Sequence, residues 1–319
     1  MANEFDLIAR YFSRPAPTGF LGVGDDCALL PVRPGFQLAT STDLLIEGRH
    51  FFADVDPSTL GHKALAVNLS DLAAMGAKPV ACLLSLSLPQ ADADWLKGFS
   101  DGFYALAKET HCPLVGGDTA RSPSGITISV TVLGEIQPGK AMLRSGAQPD
   151  DDIWVSGTLG AADIALRLLQ KKLPDNATLL AATRSALERP QPQLLLGQCL
   201  AGIAHAALDI SDGLVQDLGH ILNASGCGAQ LDYDALPVDA ALAGLPLNVQ
   251  QEAVLGGGDV YQLCFTAPAH QRDYILAQAQ SVAVRVTRIG RITRQRGVLI
   301  KDSRGRSITP PSMGFDHFA

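Results

Sequence analysis

Strand-like and helix-like segments alternate along most of the chain, and this alternation restricts the possible folds more than any other feature. Residues 125–136 (GITISVTVLGEI) alternate apolar and polar side chains, which predicts a β-strand with one buried face. Residues 57–75 instead show the apolar spacing of a long helix, with Pro57 near its start and Gly76 after its end. Elements of both kinds in alternation predict an α/β (α+β) fold.

The remaining elements are predicted by the same two periodicities, together with the position of Gly, Pro and Asn residues. A short amphipathic helix is expected at the N-terminus, with Phe5, Ile8 and Phe12 on one side. Strands are expected at 36–42, 79–88, 113–115, 153–156, 206–210, 229–233, 260–266, 284–292 and 297–301, and helices at 92–110, 160–171, 177–187, 192–203, 213–225 and 269–280.

One segment interrupts the alternation and predicts a domain boundary. Residues 137–152 (QPGKAMLRSGAQPDDD) are rich in Gly, Pro and Asp, as linkers and turns are. A chain of 319 residues is long enough for two domains. We therefore expect an N-terminal domain at 1–137 and a C-terminal α/β domain at 150–319.

Composition excludes several classes of protein. The formal net charge is −7, whereas nucleic-acid-binding domains are usually basic, so no nucleic-acid partner is expected. No apolar run reaches the ~18 residues of a membrane span, and the acidic start MANEFDLIARYF does not resemble a signal peptide. Six scattered cysteines without a C-x-x-C motif indicate reduced, buried thiols. These features favour a cytoplasmic enzyme without a membrane partner.

Two glycine motifs are weak candidates for phosphate binding. The segment 134–141 nearly fits a P-loop, but Ala141 has no hydroxyl for Mg²⁺ and Pro138 has no N–H to donate to phosphate. The turn between Gly157 and Gly160 could present helix N-terminal amides to a phosphate, although a structural turn is the favoured interpretation. The sequence also lacks H-E-x-x-H, G-x-S-x-G, and a G-x-G-x-x-G that opens a helix.

Aspartates that stand beside small residues, at turns or strand ends, carry the strongest chemical signal. Aspartate is a poor strand former and is costly to bury unpaired, so repeated placement there suggests convergence on cations. Mg²⁺ takes oxygen ligands, and it typically uses one or two carboxylates together with water and substrate phosphates. For any single aspartate a turn or cap role is favoured; for the whole set, cation binding is favoured. The set comprises Asp25, Asp26, Asp43, Asp71, Asp118, Asp209, Asp212 and Asp259.

Several of these aspartates lie in longer motifs that identify a family. The sequence resembles the thiamine-monophosphate kinases, which belong to the superfamily that includes aminoimidazole ribonucleotide synthetase. The resemblance runs in family order along nearly the whole chain. It rests on GVGDDCALL (22–30), TSTDLLIEGRHF (40–51), HKALAVNLSDLAAMGAKP (62–79), LVGGDT (114–119), RSGAQPDD (144–151), LDISDGLVQDLGHI (208–221) and FDHF (315–318).

The resemblance implies a fold, a reaction and a set of functional residues. An N-terminal domain would form a homodimer through its strands, and the C-terminal domain would complete a cleft for ATP and several Mg²⁺ ions. The reaction would convert thiamine phosphate and ATP into thiamine diphosphate and ADP. The implied metal ligands are Asp26, Ser41, Thr42, Asp43, Asp71, Asp118, Asp209 and Asp212, the ATP contacts are Gly117, Asp118, Arg144 and Ser211, and the substrate contacts are His50, Asp259 and Phe315.

This reaction does not require a general base. The second pKa of a phosphate monoester is near 6, so much of the acceptor is already a dianion at neutral pH. The obstacle is repulsion between acceptor and ATP, about 4 kcal/mol for each pair of unit charges ~4 Å apart at an effective dielectric of 20. We therefore expect direct in-line transfer assisted by Mg²⁺, with no phosphorylated enzyme intermediate.

One motif departs from the family pattern and leaves alternatives open. Where the family usually reads GGEDYEL, this chain reads GGDVYQL at 257–263, so a carboxylate is kept at Asp259 for contact with a cationic substrate while the motif loses two negative charges. The alternatives are another ATP-using reaction of the superfamily, such as that of aminoimidazole ribonucleotide synthetase, and a non-catalytic metal- or nucleotide-binding protein. Selenophosphate synthetases use a Lys near an N-terminal Cys, and Cys27 has none nearby.

Overall fold

The chain divides into two compact units. The computed structural model describes residues 8–15, 17–19, 30–31, 33–310 and 314. One unit comprises the described residues up to Leu72 together with Ala77–Pro138, and the second comprises Ala73–Gly76 and the described residues from Gly139 onward. Of the residues singled out in the sequence, Phe5, Asp25, Asp26, Cys27 and Phe315 lie outside the described part, while Ile8–Phe12 form a π-helical segment.

The N-terminal unit is built on a four-stranded sheet of order β1-β4-β2-β3. β1 and β2 each pair antiparallel with β4, and β3 pairs parallel with β2. Helix α1 packs on one face of the sheet, where a Cβ added at Gly134 would lie 3.0 Å from the Leu72 side chain. The elements are β1 (Gln37–Ile46), α1 (Pro57–Met75), β2 (Lys78–Leu88), α2 (Ala93–Glu109), β3 (Leu114–Arg121) and β4 (Thr127–Ile136).

Helix α1 is buried on all sides from Leu60 to Ser70, which explains its lack of a polar face. It meets α2 so closely that side chains are excluded from the contact. A Cβ at Gly61 would lie 2.0 Å from the Phe99 carbonyl oxygen, and a Cβ at Gly102 would lie 1.9 Å from the Ser58 carbonyl oxygen. The two glycines therefore fix how α1 and α2 approach each other.

The C-terminal unit is built on a seven-stranded mixed sheet of order β11-β10-β7-β9-β5-β8-β6. One sheet face carries the main apolar core, in which Ile153, Leu231 and Ile289 pack with Leu218 of α6. On the opposite face Trp154 and Phe265 stack with ring centroids 6.2 Å apart. The elements are β5 (Asp152–Ser156), α3 (Ala161–Leu169), α4 (Ala177–Glu188), α5 (Leu194–Leu200), β6 (Ala206–Asp209), α6 (Leu214–Ser225), β7 (Gly228–Asp232), α7 (Leu247–Gly256), β8 (Leu263–Ala267), α8 (Arg272–Ser281), β9 (Val286–Thr293), β10 (Gly297–Lys301) and β11 (Ser307–Ile308).

The predicted α/β fold class is confirmed, and most element boundaries agree with the prediction within a few residues. The helix at 57–75 and the strand at 297–301 are reproduced without change. β1 and β3 are longer than expected because each continues through aspartate or glycine, residues that usually end strands. Helix α7 was not predicted.

None of the helices formed by the described residues is both long and apolar enough to cross a membrane. The five described cysteines are free thiols, and four of them are buried: Cys82, Cys112, Cys227 and Cys264. Burial raises the pKa of the Cys82 thiol well above its usual value, which keeps it protonated and unreactive.

Gly219 lies in the middle of helix α6, and no neighbouring atom requires a glycine there. We therefore expect that alanine at this position stabilises the protein. A Cβ at Gly219 would meet no atom within 4 Å, because the residue borders a cavity of about 290 Å³. Gly219→Ala should therefore raise the free energy of unfolding by about 0.5–1 kcal/mol, since alanine reduces the entropy of the unfolded chain. Urea denaturation measures the change.

Gly102→Ala is the matched control, because it makes the same chemical change in α2 where no room exists. It should destabilise the protein. A stabilising effect at both positions, or at neither, would contradict the packing described here.

Candidate active site

Strand β1 presents two of the predicted metal ligands to helix α1. The Ser41 hydroxyl donates a hydrogen bond to Oδ2 of Asp71, with 2.5 Å between the oxygens. The backbone N–H of Asp43 donates to Oδ1 of Asn68 at 2.8 Å, and Nδ2 of Asn68 donates to the Ala64 carbonyl at 3.0 Å. Because Asn68 and Asp71 lie one turn apart on α1, they meet alternate residues of β1 on the same sheet face.

This arrangement brings two half-buried carboxylates, Asp43 and Asp71, close enough for the charge of one to act on the other. The pKa of Asp43 is raised from 3.8 to about 6, first by burial and second by the negative charge of Asp71. Both effects disfavour the ionised form, and a bound cation would reverse the second of them. The donors are carboxylate, hydroxyl and amide oxygens, which a hard cation such as Mg²⁺ prefers. The residues present therefore fit a divalent cation.

Two other predicted ligands lie on the opposite face of the same sheet. The Thr42 hydroxyl donates to the Val130 carbonyl at 3.1 Å and accepts from the Thr131 hydroxyl at 3.0 Å. Asp118 pairs in register with Ser85, and Ser85 pairs with Ser129, which pairs with Leu44 of β1. Since neighbouring residues of a strand alternate in direction, the side chains of Thr42 and Asp118 do not join Asp43 and Asp71 within this unit.

Gly117 and His50 have local structural roles that the sequence did not reveal. A Cβ at Gly117 would lie 1.8 Å from the Leu84 carbonyl oxygen, so close packing of β3 on β2 requires a glycine there. Nδ1 of His50 accepts a hydrogen bond from the Ile46 N–H at 3.0 Å. That bond fixes the orientation of the imidazole ring beside the end of β1.

In the C-terminal unit, the turn between β6 and α6 contains Asp209, Ser211 and Asp212. Asp209 ends the buried strand β6 and is itself buried. Oδ2 of Asp217 accepts hydrogen bonds from the backbone N–H groups of Asp212 and Gly213, each at 3.0 Å. Burial raises the pKa of Asp217 to about 6, although these hydrogen bonds oppose the shift.

Asp217 is a functional candidate that sequence reasoning missed. Asp217 lies in the first turn of helix α6, and its carboxylate holds the backbone of the loop between β6 and α6. The side chain of Gln216 donates a hydrogen bond to Oδ2 of Asp212 at 3.3 Å. The sequence pattern could have indicated it, because Asp217 is a carboxylate in a helix segment whose neighbouring residues Leu214, Val215 and Leu218 are apolar.

The divergent segment at 257–261 is attached to this turn by backbone hydrogen bonds. The N–H of Asp259 donates to the Ser211 carbonyl at 2.8 Å, and the N–H of Tyr261 donates to the Ile210 carbonyl at 2.7 Å. Asp259 and Tyr261 have φ of +59° and +52°, a conformation that is uncommon for residues other than glycine. Such strain is characteristic of functional sites. The structure thus brings Asp259 next to Ser211 and Asp212.

The departures from the family motif have structural explanations. Val260, where the family has Asp, packs against the apolar core of the unit. Oε1 of Gln262, where the family has Glu, accepts a hydrogen bond from the Ser156 hydroxyl at 2.7 Å. The Ser156 hydroxyl in turn accepts from the Leu263 N–H at 2.9 Å. The amide of Gln262 accepts the hydrogen bond from Ser156 without the buried negative charge that a glutamate would introduce.

Of the remaining predicted residues, Arg144 is described and two are not. Arg144 is exposed in a 3₁₀ turn, and its carbonyl accepts a hydrogen bond from the Ser225 hydroxyl at 2.9 Å. Asp26 and Phe315 are not described. Among the described residues, no three His, Cys, Asp or Glu side chains lie together as a metal site.

Comparison with known proteins defines the class first. Residues 24–136 match the family model described as AIR synthase related protein, N-terminal domain. Residues 148–302 match the corresponding C-terminal domain model. The chain is therefore a two-domain AIR synthase related protein.

Relatives that match over nearly the full length of the chain identify a family within this class. The thiamine-monophosphate kinase of Salmonella typhimurium is 44% identical over 322 residues, covering 99% of this chain and 98% of the relative. The crystal structure of thiamine-monophosphate kinase from Stenotrophomonas maltophilia is 45% identical, with a TM-score of 0.84 and 95% of each chain covered. A structure of AaThiL complexed with AMPPCP and TMP is 31% identical, with a TM-score of 0.77 and coverage of 91% of this chain and 90% of that one.

The chain belongs to the thiamine-monophosphate kinase family, a family of phosphotransferase enzymes. This confirms the resemblance seen in the sequence motifs.

The raised pKa of Asp43 predicts how stability depends on pH in the absence of metal. A carboxyl whose pKa is higher in the folded state binds protons more readily when folded, so it lowers stability as pH rises from about 4 to above 6. In EDTA, Asp43→Asn should remove this loss and raise the free energy of unfolding at pH 8 by up to about 3 kcal/mol. The gain should vanish near pH 3.5.

Urea denaturation across this pH range measures the effect. Asp101→Asn provides the control, because Asp101 is an exposed α2 carboxylate paired with Lys97. It should shift stability by no more than about 0.5 kcal/mol at any pH. Identical pH profiles for wild type and Asp43→Asn would contradict the burial described for this carboxylate.

Proposed function

We propose that this chain transfers the γ-phosphoryl group of ATP to thiamine phosphate, producing thiamine diphosphate and ADP by direct in-line, Mg²⁺-assisted transfer. Support for the substrates comes from full-length relatives named thiamine-monophosphate kinase and from the structure of AaThiL with AMPPCP and TMP. The structural observation that carries the Mg²⁺ part is the half-buried pair of carboxylates at Asp43 and Asp71, whose surroundings are held by hydrogen bonds of Ser41 and Asn68.

The metal-binding role is assigned to carboxylates of both units. In the N-terminal unit, Asp43 and Asp71 share one cation environment, and Ser41 holds the orientation of Asp71. In the C-terminal unit, Asp209 and Asp212 flank a turn that Asp217 holds in place. Bound Mg²⁺ supplies positive charge that offsets repulsion between the two phosphate-bearing substrates. Asp26, Thr42 and Asp118 belong to the set proposed from the sequence, but the side chains of Thr42 and Asp118 lie on the opposite face of the sheet from Asp43 and Asp71.

The chain's other residues position the nucleotide, and no residue is needed as a general base. Arg144 is exposed and carries a permanent positive charge, which suits it to a phosphate oxygen. Gly117, Asp118 and Ser211 are the further ATP contacts in this proposal. The acceptor phosphate attacks as a dianion, so proton removal by the protein is unnecessary. In-line geometry then depends on how rigidly these residues are held.

Recognition of the thiamine moiety is assigned to His50, Asp259 and Phe315. Nδ1 of His50 accepts a hydrogen bond from the Ile46 N–H, which fixes the orientation of the imidazole ring proposed to contact the substrate. The Asp259 carboxylate accepts from the Tyr261 hydroxyl at 3.4 Å and offers negative charge to the cationic thiazolium ring. An aromatic face at Phe315 would suit the same cation.

A homodimer formed through the N-terminal sheet is part of the proposal. The outer face of β1 exposes Leu38, Leu44 and Ile46 by 58%, 50% and 40%. Exposed apolar side chains clustered along one strand are typical of a protein interface. A cytoplasmic location is proposed with it.

The reaction is tested with the purified chain, ATP, thiamine phosphate and Mg²⁺, by measuring ADP release and separating products by chromatography. Thiamine diphosphate should form in equal amount to ADP, and EDTA should abolish both. Asp43→Asn should lower kcat/KM by at least about 100-fold, because a ligand is lost while its shape is kept. Asp101→Asn should leave it unchanged.

The other outcomes separate the alternatives. ADP release without thiamine diphosphate would indicate a different ATP-using reaction of the superfamily. ATP binding without ADP release would indicate a non-catalytic nucleotide-binding protein. Full activity in EDTA would contradict the role assigned to the carboxylates.

A further inference from the structure

Positive charge is concentrated in one segment of this acidic chain. Residues 272–306 contain nine basic residues and only two acidic ones, a net charge of +7. The whole chain has a net charge of −7, which leaves −14 for the remainder. Eight of the nine basic residues are arginines, whereas the remainder has nine arginines and seven lysines. This segment forms α8, β9 and β10; β10 lies next to β11 at one edge of the C-terminal sheet, and β9 lies in its middle.

Strand register places part of this charge on the sheet face opposite the apolar core. Asp152 pairs with Arg291, Arg291 with Gln230, and Gln230 with Leu299, so these four side chains form one row across β5, β9, β7 and β10. The core-facing residues are their strand neighbours, including Ile153, Leu231 and Ile300. The row therefore faces away from the core. Leu299 is 42% exposed in it.

The arginines of this face outnumber the carboxylates that pair with them. Asp152 is buried and accepts two hydrogen bonds from the Arg272 guanidinium, at 2.5 and 2.7 Å. Arg288 reaches the same carboxylate only at 3.6 Å. Within the described ranges, Arg291 makes no ion pair. Among the described residues, Asp152 thus pairs with two of the three arginines, and the face keeps a net positive charge.

The composition of the face favours a protein as its partner. Arginine is enriched and lysine depleted at protein interfaces, and a planar guanidinium binds carboxylates in bidentate fashion. Leu299 supplies an apolar contact within the row, and α8 exposes Tyr274 and Leu276 nearby in sequence. A single-stranded nucleic acid would favour several exposed aromatic side chains for stacking, whereas the Trp154 and Phe265 rings of this sheet face are buried.

We propose that the face formed by Arg272, Arg288, Arg291, Gln230 and Leu299 is a docking surface for an acidic partner protein. Carboxylates of the partner pair with Arg288 and Arg291, and an apolar side chain of the partner covers Leu299. None of these residues belongs to the proposed phosphoryl-transfer site, so docking and catalysis are separable.

The test uses a fluorescein-labelled, glutamate-rich peptide that contains leucine, with binding followed by fluorescence anisotropy at moderate salt. Arg288→Ala/Arg291→Ala should raise the Kd at least about tenfold, since two charge-assisted contacts are lost. Arg304→Ala/Arg306→Ala removes the same charge from the β10–β11 turn and should raise it less than about threefold. Leu299→Ala should weaken the leucine-containing peptide more than a leucine-free one.

Equal losses in the two double variants would overturn the proposal, because general electrostatic attraction would then explain the binding. Tighter binding of a single-stranded oligonucleotide that depends on Arg288 and Arg291 would overturn the assignment to a protein partner. A change in oligomeric state of Arg288→Ala/Arg291→Ala on sedimentation would instead make the partner a second copy of this chain. Melting curves confirm folding, and phosphoryl transfer by each double variant should equal that of wild type.

Discussion

The structure of the N-terminal unit depends on placing ionisable side chains where a strand faces a buried helix. Asp43 and Ser41 of β1 point toward α1, whose surface is buried along its middle section. Such a position is unfavourable for a carboxylate unless hydrogen bonds or a cation compensate for the lost water. Asn68 and Asp71 supply the hydrogen-bonding framework, which explains polar residues inside an otherwise apolar helix.

The C-terminal unit also buries a carboxylate, that of Asp217, but compensates for the lost water with backbone hydrogen bonds. There the carboxylate of Asp217 accepts hydrogen bonds from backbone N–H groups that precede α6, and so fixes the backbone of the turn. In the N-terminal unit, by contrast, the carboxylate of Asp71 accepts from a side chain, that of Ser41. The segment at 257–261 is held to the same turn with two residues in a strained conformation. In both units, rigidity around aspartates is produced by local hydrogen bonds, and stability is reduced by burying charge.

Much of the fold could be predicted from sequence because periodicity directly reflects burial. The long apolar helix at 57–75 and the alternating strand at 125–136 are examples, and each appears in the structure. β3 was predicted too short because Gly116, Gly117 and Asp118 are poor strand formers, and pairing with β2 overrides that preference. Helix α7 has no strong periodicity, so it was not predicted.

The candidate site was less accessible to sequence reasoning, because motifs identify residues but not the faces they occupy. Thr42 and Asp43 were predicted together as ligands, yet their side chains lie on opposite faces of β1. The alternation of strand side chains could have revealed this separation. Asp217 was missed because its role is to accept hydrogen bonds from backbone N–H groups, which leave no trace in composition.

Binding of a divalent cation by the Asp43 and Asp71 carboxylates can be measured with Mn²⁺. Mn²⁺ shares the oxygen preference of Mg²⁺, and its binding can be followed by electron paramagnetic resonance without nucleotide or turnover. Wild type should bind Mn²⁺ saturably, and Asp71→Asn should weaken that binding at least about tenfold while Asp101→Asn does not. Equal Mn²⁺ affinity in wild type and Asp71→Asn would contradict the account.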